Sequence, residues 1–423
     1  MDSEMSVALK IAVVGAGIVG VGTAEWLRRD GHAVTLLDRT DPGSPDQTSY
    51  GNAGLLARTA VVPVSVPGLL KHVPSMLLKP DGPLFLRWGY LPRLLPWLMP
   101  FLRNGNEAKV REIAAALDTI LGDSVDQHRA LAQGTGAERY IETGHYAYLY
   151  KDRAGFEKDA WGFALRRELG ADWDEWDRAA IRERDPHLSD SVGFAAALKD
   201  HGWIRDPGAY LVALLDAFRA GGGVFRRGEV TDIAPDGENG GTVTVAGDAL
   251  PFDRIVIASG VWSRRMAERL GHRVPLEAER GYHLVLENPS FRPPIPYMVA
   301  DAKFAVTPMD AGVRCAGLVE FGGVDMPARM ARTKLFERRI RTLYPALEWD
   351  GVQTWMGRRP STPDSLPLIG ESTRARHVWF AFGAQHVGLT SGPKTGRLIA
   401  DMIGGRMPNI DMTPFAPDRF DRA

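Results

Sequence analysis

The first residues whose types and spacing could do chemistry are Gly15-Ala16-Gly17-Ile18-Val19-Gly20, with Asp38 following 23 residues after Gly15. Glycines in this order allow a tight turn at Gly15, a close backbone approach to a pyrophosphate at Gly17 and close helix–strand packing at Gly20. Free N–H groups and the dipole at the start of the next helix favour the negative charge of the phosphates. Asp38 is placed to hold ribose hydroxyls, and its carboxylate argues against a 2′-phosphate, an inference that Arg39 beside it weakens slightly. The motif predicts a dinucleotide site but leaves FAD and NAD open; the bland alternative is a glycine-rich turn beside a chance acid.

Other chemistries have little support in the residue pattern. The ten histidines show no HExxH or other ligand spacing, and no GxSxG elbow stands between a strand and a helix, so no metal site and no activated serine is expected. The single cysteine, Cys315, cannot form an internal disulfide, which predicts a reducing compartment. It lies in the apolar run 313–319 and reads as packing. Lys plus Arg number 51 against 52 Asp plus Glu, so the basic excess that a DNA or RNA partner requires is missing.

Periodicity indicates the elements that must position these groups. Residues 11–14 form an apolar strand signal, 21–29 have helical spacing ended by Gly31, and 34–37 form a second strand before Asp38. Val110, Ile113, Leu117, Ile120, Leu121, Val125 and Leu131 recur at helical intervals and predict one long amphipathic helix over 107–131. Asp206-Pro207 reads as an N-cap with proline in the first turn, and Gly221 to Gly223 stops that helix. Segments 243–257 and 282–319 read as strands. A length of 423 residues suits two or three domains, and 44% hydrophobic with 24% charged residues is a globular balance. Residues 1–10 carry Asp2 and Glu4 and no apolar run, unlike a secretory signal. The uncharged stretch 59–70 contains Pro63 and Pro67 and falls short of the roughly 20 apolar residues a spanning helix needs. A cytoplasmic protein is expected.

Four further segments extend the pattern: Thr48-Ser49-Tyr50-Gly51-Asn52-Ala53-Gly54 with Leu55 after it, Ala258-Ser259-Gly260-Val261-Trp262, Gly357-Arg358-Arg359-Pro360, and Gly383 to Thr390. With the first turn they resemble the D-amino-acid oxidase (DAO) family of flavoproteins over nearly the whole chain and in the same order. The resemblance is strongest to its bacterial D-amino-acid dehydrogenase members, which also carry Gly-Tyr after a basic residue, here Arg280-Gly281-Tyr282. It implies FAD, held non-covalently, rather than NAD. The implied fold is α/β: a three-layer, Rossmann-like FAD-binding domain built from segments 1–60, 190–270 and 350–423. Segments 61–189 and 271–349 would form an antiparallel β-sheet substrate or cap domain with a helical insertion. The residues implied at the cofactor are Gly15, Ala16, Gly17, Ile18, Val19, Gly20, Asp38 and Arg39, then Thr48, Ser49, Asn52, Gly54 and Leu55. Val230, Ser259, Gly260, Trp262 and Gly357 follow, and Gly383, Val387, Gly388, Leu389 and Thr390 complete the set.

The resemblance further implies oxidation of a D-amino acid by hydride transfer to the flavin, giving an imino acid that water splits to a 2-oxo acid and ammonia. Arg359 would clamp the substrate carboxylate through two parallel bonds. Tyr282 would cap that carboxylate or line the side-chain pocket, whereas His283, on the opposite face of a strand, could join it only across a bulge. The chain departs from the family's usual Gly-His pair, with Ala384 in the histidine position; Gln385 and His386 are the candidates to substitute. An oxidase of sarcosine or another secondary amino acid would use the same fold and clamp, and a non-catalytic flavoprotein subunit is the reading outside enzymes. Relatives of the dehydrogenase type pass electrons to the respiratory chain, so a quinone stands beside O2 as acceptor. Between 61 and 103, Leu70, Leu77, Leu78, Leu84, Phe85, Trp88, Leu94, Leu95, Trp97, Leu98 and Phe101 mix with Lys71, Lys79, Arg87, Arg93 and Arg103. Apolar anchors beside cations suit peripheral contact with an anionic membrane face. A homo-oligomer contact or an active-site lid is the plainer expectation, because the prolines there forbid one continuous amphipathic helix.

Overall fold

The computed structural model describes residues 8–69, 82 and 84–421. Lys10–Val14 pairs in parallel with Ala33–Asp38 on one side and Arg254–Ile257 on the other. Parallel neighbours need a crossover, which the helix Ile18–Arg29 supplies between the first two strands. Ile11 to Val14 are buried, because helices cover one face of this sheet and a small meander covers the other; such strands read as unbroken apolar runs. The six-stranded sheet runs Leu368–Glu371, Val378–Phe382, Arg254–Ile257, Lys10–Val14, Ala33–Asp38, Val224–Arg227. The meander of Val230–Pro235, Gly241–Val245 and Asp248–Phe252 packs Ile233, Val243 and Val245 against Val14, Leu37 and Ile257. On the opposite face, Ile18–Arg29, Pro207–Ala220 and Gly388–Ile403 share one core. The Asp206 carboxylate accepts the Ala209 N–H with Pro207 in the first turn, as the sequence predicts.

A second sheet of ten strands holds Gly351–Ser361, Glu277–Glu287, Gly312–Phe321, Phe304–Met309, Tyr297–Val299, Ile141–Tyr150, Phe194–Ile204 and Leu55–Leu56 in that order. Leu84–Leu86 and Trp173–Asp177 pair onto it from the side. Three of these strands, Leu55–Leu56, Phe194–Ile204 and Gly351–Ser361, fall in segments that the sequence assigns to the nucleotide half. Backbone pairing joins them to Ile141–Tyr150, Glu277–Glu287, Phe304–Met309 and Gly312–Phe321 in one sheet.

One helical expectation is corrected, and a helix stands inside the proline-rich segment 61–103 without making that segment one continuous helix. Residues 107–131 form two helices, Glu107–Leu121 and Ser124–Ala132, divided at Gly122-Asp123. Their apolar faces join Val21, Leu398 and Ile399 in the nucleotide core rather than a cap. The Lys394 ammonium grips Asp123 at 2.6 Å and fixes the break against Gly388–Ile403. Residues Leu91–Arg103 are helical despite Pro96 and Pro100 inside the helix. Prolines at 92, 96 and 100 recur every fourth residue, so the missing N–H donors fall on one side. Leu94, Trp97 and Phe101 are buried on the other. Leu70, Lys71, Leu77, Leu78 and Lys79 lie outside the described residues.

Candidate active site

The carboxyl ends of the parallel strands open onto one continuous cavity of about 1440 Å³, bounded on its other side by the ten-stranded sheet. Ligands of open α/β sheets bind at that edge. Gly15 turns there with φ +107°, and a Cβ on it would stand 2.5 Å from the Ala258 carbonyl oxygen. Gly17 precedes the helix Ile18–Arg29, whose first turn contains no acidic residue, so its positive end is open to an anion. Asp38 borders the cavity with its carboxylate fixed by the Ala16 N–H at 2.6 Å and the Thr40 N–H at 2.9 Å. Ser49 Oγ accepts the Ile18 N–H at 3.1 Å and holds the second loop against this turn. Arg39 stacks 3.9 Å over Trp262, and both border the cavity.

Of the residues expected at the cofactor, Ala16, Gly20 and Gly54 stand behind the lining. Ala16 acts through Asp38, and Gly20 packs against Gly15, where a Cβ would meet the Gly15 oxygen at 1.7 Å. Gly54 donates its N–H to Asn52 Oδ1 at 2.9 Å, which folds the loop. The others, Val19, Thr48, Leu55, Val230, Ser259, Gly260, Gly357, Gly383, Val387, Gly388, Leu389 and Thr390 included, face the cavity. Three bonds tie these pieces together: Thr48 Oγ1 to the Arg358 carbonyl (3.0 Å), Thr390 Oγ1 to the Leu55 carbonyl (3.1 Å), and His128 Nε2 to the Leu389 carbonyl (2.9 Å). Since a carbonyl only accepts, His128 carries its proton on Nε2 and Nδ1 accepts from the Tyr210 hydroxyl at 2.9 Å. Burial pushes this imidazole down to about 4. The glycine cradle, the fixed acid and the helix N-terminus free of acidic side chains fit the pyrophosphate and ribose of FAD.

Beyond the cradle, the adjacent strands Glu277–Glu287 and Gly351–Ser361 place a polar corner in the cavity wall. Their register pairs Glu279 with Arg359 and Gly281 with Gly357. Arg359 Nη1 donates to Glu279 Oε1 at 2.7 Å, and Ser361 Oγ donates to Glu279 Oε2 at 3.2 Å. The Arg359 guanidinium lies across Gly281, where a Cβ would stand 2.5 Å from Cζ. His386 is open to the cavity. Enclosing protein nevertheless pushes its imidazole below the ordinary histidine value, with Glu279 opposing and Arg359 adding to the effect. Gln385 also borders the cavity, but its side-chain amide donates to the Thr362 carbonyl at 3.1 Å and serves the turn. Ala384 bridges to Ser361, which holds that turn against the arginine strand.

The tyrosine and the second histidine are placed differently from expectation. Tyr282 borders the cavity, yet its hydroxyl donates to Glu320 Oε2 at 2.5 Å and accepts the Arg329 N–H at 3.1 Å, on the far face of the sheet. His283 does not border the cavity. It stacks on Trp355 at 4.9 Å and donates from Nδ1 to the Gly51 carbonyl at 2.9 Å. Burial pushes it down to about 3, so it is a neutral support for the Gly51–Gly54 loop. The register shift beside it lets Tyr282 pair with Leu318 and His283 with Ala316, and it does not bring the two side chains together. Glu279 and Gly281 are residues of this wall that the sequence does not single out. Period-two alternation through Arg280-Gly281-Tyr282 carries the signal, since it sets both on one face.

The roof is the helix Leu91–Arg103, with Leu94, Trp97, Leu98 and Phe101 on the cavity. Trp97 stacks on Phe101 at 4.7 Å and donates from Nε1 to the Ser361 carbonyl at 2.8 Å. Cys315 is buried with its thiol pushed up by desolvation. Among the described residues, no group of three or more His, Cys, Asp or Glu gathers as a metal site would require, and no helix is long and apolar enough to cross a membrane.

The FAD dependent oxidoreductase (DAO) family model matches residues 10–402. A D-amino-acid oxidase of Bradyrhizobium diazoefficiens is 38% identical over 415 residues, covering 97% of this chain and 98% of that protein. A D-amino acid dehydrogenase of Dechloromonas aromatica is 31% identical over 421 residues, covering 96% and 99%. In three dimensions the chain is similar to glycine oxidase from Geobacillus kaustophilus, with TM-score 0.72, 20% identity and coverage of 97% and 99%. The chain belongs to the DAO family of FAD-dependent oxidoreductases.

Proposed function

We propose that the protein oxidises a D-amino acid to its imino acid, which water splits to a 2-oxo acid and ammonia. The observation that carries this reading is Arg359, held open over Gly281 in a cavity continuous with the dinucleotide cradle. When bound, FAD supplies the hydride acceptor. Arg359 grips the substrate carboxylate and fixes which hydrogen on Cα is presented. His386, neutral near neutral pH because of its surroundings, accepts the proton that the ammonium group must lose. The positive end of Gly388–Ile403, with no acid in its first turn, favours negative charge arriving in the cavity. The apolar roof limits water. The names of the D-amino-acid oxidase and dehydrogenase relatives support this substrate class.

The electrons then pass to O2 or to a quinone. The helix Leu91–Arg103 is both the roof and the face for peripheral contact with a cytoplasmic membrane surface. Leu95 and Met99 on this helix, and Trp88 in the turn before it, are exposed at 43%, 48% and 63%. The deciding experiment is anaerobic: D-, L- and N-methyl amino acids are added to the flavin-loaded protein and absorbance is followed. Bleaching by D-amino acids is expected. Bleaching by N-methyl amino acids alone would make the protein a secondary-amine oxidase, and none at all would leave a non-catalytic flavoprotein.

A further inference from the structure

Arg359 does not face the chamber alone. Glu279 is an acid whose side chain is 8% exposed, set 2.7 Å from Arg359 Nη1 in the same wall. Among the described residues, its second oxygen accepts the neutral Ser361 hydroxyl and no cation, so part of the charge is left for another cation. A buried ion pair is poor stabilisation, since apolar residues of similar size would hold two strands as well or better. Placed in a cavity wall, however, the pair has the charge pattern of a free α-amino acid turned end for end. A lone arginine binds any carboxylate, including the 2-oxo acid that the reaction releases. An arginine with an acid beside it selects carboxylates that carry their own positive charge.

We propose that Glu279 receives the ammonium group of the substrate, so that Arg359 and Glu279 together read the zwitterion. The assignment rests on the amino-acid reading given above and makes Glu279 a specificity-determining residue. The pair favours an amino acid over the hydroxy acid or oxo acid of the same side chain. It also assists product departure, because the oxo acid brings no ammonium to the Glu279 carboxylate.

The test uses flavin-loaded wild type and Glu279→Gln. Equilibrium titration with the 2-oxo acid is read from the perturbed flavin spectrum, and the concentration dependence of anaerobic bleaching gives the dissociation constant of the D-amino acid. In Glu279→Gln, amino-acid binding should weaken about 10- to 100-fold, the scale of one charged hydrogen bond, while oxo-acid binding is unchanged or tighter. Equal weakening of both would mean that Glu279 only orients Arg359, and an unchanged amino-acid constant would mean that it does not touch the ammonium; either result overturns the assignment. Should the glutamine variant fail to fold, Glu279→Asp decides. A retained preference for amino over oxo acid supports the assignment, and its loss with oxo-acid binding intact does too, because the shortened acid then no longer reaches; parallel weakening of both overturns it. If no amino acid bleaches the wild type, the amino-acid reading itself fails and takes this inference with it, a result visible without any variant.

Discussion

The cradle at the six-stranded sheet and the polar corner of the ten-stranded sheet border the same cavity but are built on opposite principles. The cradle is mostly backbone: turn, helix start and fixed acid lie within residues 15–38 of one strand–helix–strand unit. The corner is built on side chains: Glu279, Arg359 and Ser361, with Gly281 leaving the space, come from two distant strands that meet in one register, and His386 comes from the turn beside them. A site made of backbone is sensitive to any added atom. A site made of charged side chains depends on charge, on register and, at Gly281, on the room left for the guanidinium.

The largest expected effect tests the first half of that contrast. Gly15→Ala puts a Cβ 2.5 Å from the Ala258 oxygen at a φ of +107°. The strain and overpacking should cost about 3–5 kcal/mol of stability. Thermal unfolding and flavin absorbance of the purified protein should fall together. Arg359→Ala should do the reverse. It should keep the flavin and lose about 2–4 kcal/mol in kcat/KM for the amino acid. Flavin loss in the arginine variant would show that the two regions are not separable.

The same contrast explains what could be read from the sequence. Gly15, Gly17, Gly20 and Asp38 are legible because their job is local and their spacing is the message. Arg359 is legible only through family resemblance, since nothing in 351–361 marks one arginine over its neighbour; Arg358 instead donates from Nε to the Val324 carbonyl at 2.7 Å. Strand alternation sets Tyr282 and His283 on opposite faces but says nothing of what covers each face. The face of residues 279 and 281 looks into the chamber, His283 is sealed by Trp355 and the Gly51 loop, and the tyrosine hydroxyl reaches through to Glu320. The helix Leu91–Arg103 is hard to read from its prolines taken singly, because they align on one side and leave Leu94, Trp97 and Phe101 buried on the other.

Gly281→Ala sharpens the contrast at the corner itself. The methyl would stand 2.5 Å from Arg359 Cζ, and displacing the guanidinium by about 1 Å should lower kcat/KM by up to about 100-fold. Because both changes act on one contact, adding Gly281→Ala to Arg359→Ala should cost little more than the arginine change alone. Additive losses would show that Gly281 serves something other than the seat of Arg359.

The smallest effect concerns a hydrogen-bonded set that imitates a site. His272 Nε2 lies 2.7 Å from Ser372 Oγ and Nδ1 lies 2.9 Å from Asp421 Oδ2, the order of a nucleophilic triad. Ser372 does not border the cavity, however, and its oxygen already accepts the N–H groups of Arg374 and Ala375 at 3.2 and 2.9 Å. The set instead pins the C-terminal segment to the nucleotide half, and Ser372→Ala should cost about 1 kcal/mol without changing oxidation. Asp421 supplies a sign. Burial acts to raise its carboxyl, but the Arg273 N–H, Arg374 and His272 outweigh this and hold it below the usual aspartate value. The proton is then bound more tightly by the unfolded chain, so this contribution is complete above about pH 4 and drains away as pH falls through the lower folded value. Denaturant midpoints at pH 3 and pH 7 should therefore lie closer together in Asp421→Asn than in wild type. An unchanged gap would detach Asp421 from the acid sensitivity of the fold and leave its hydrogen bonds without measurable weight.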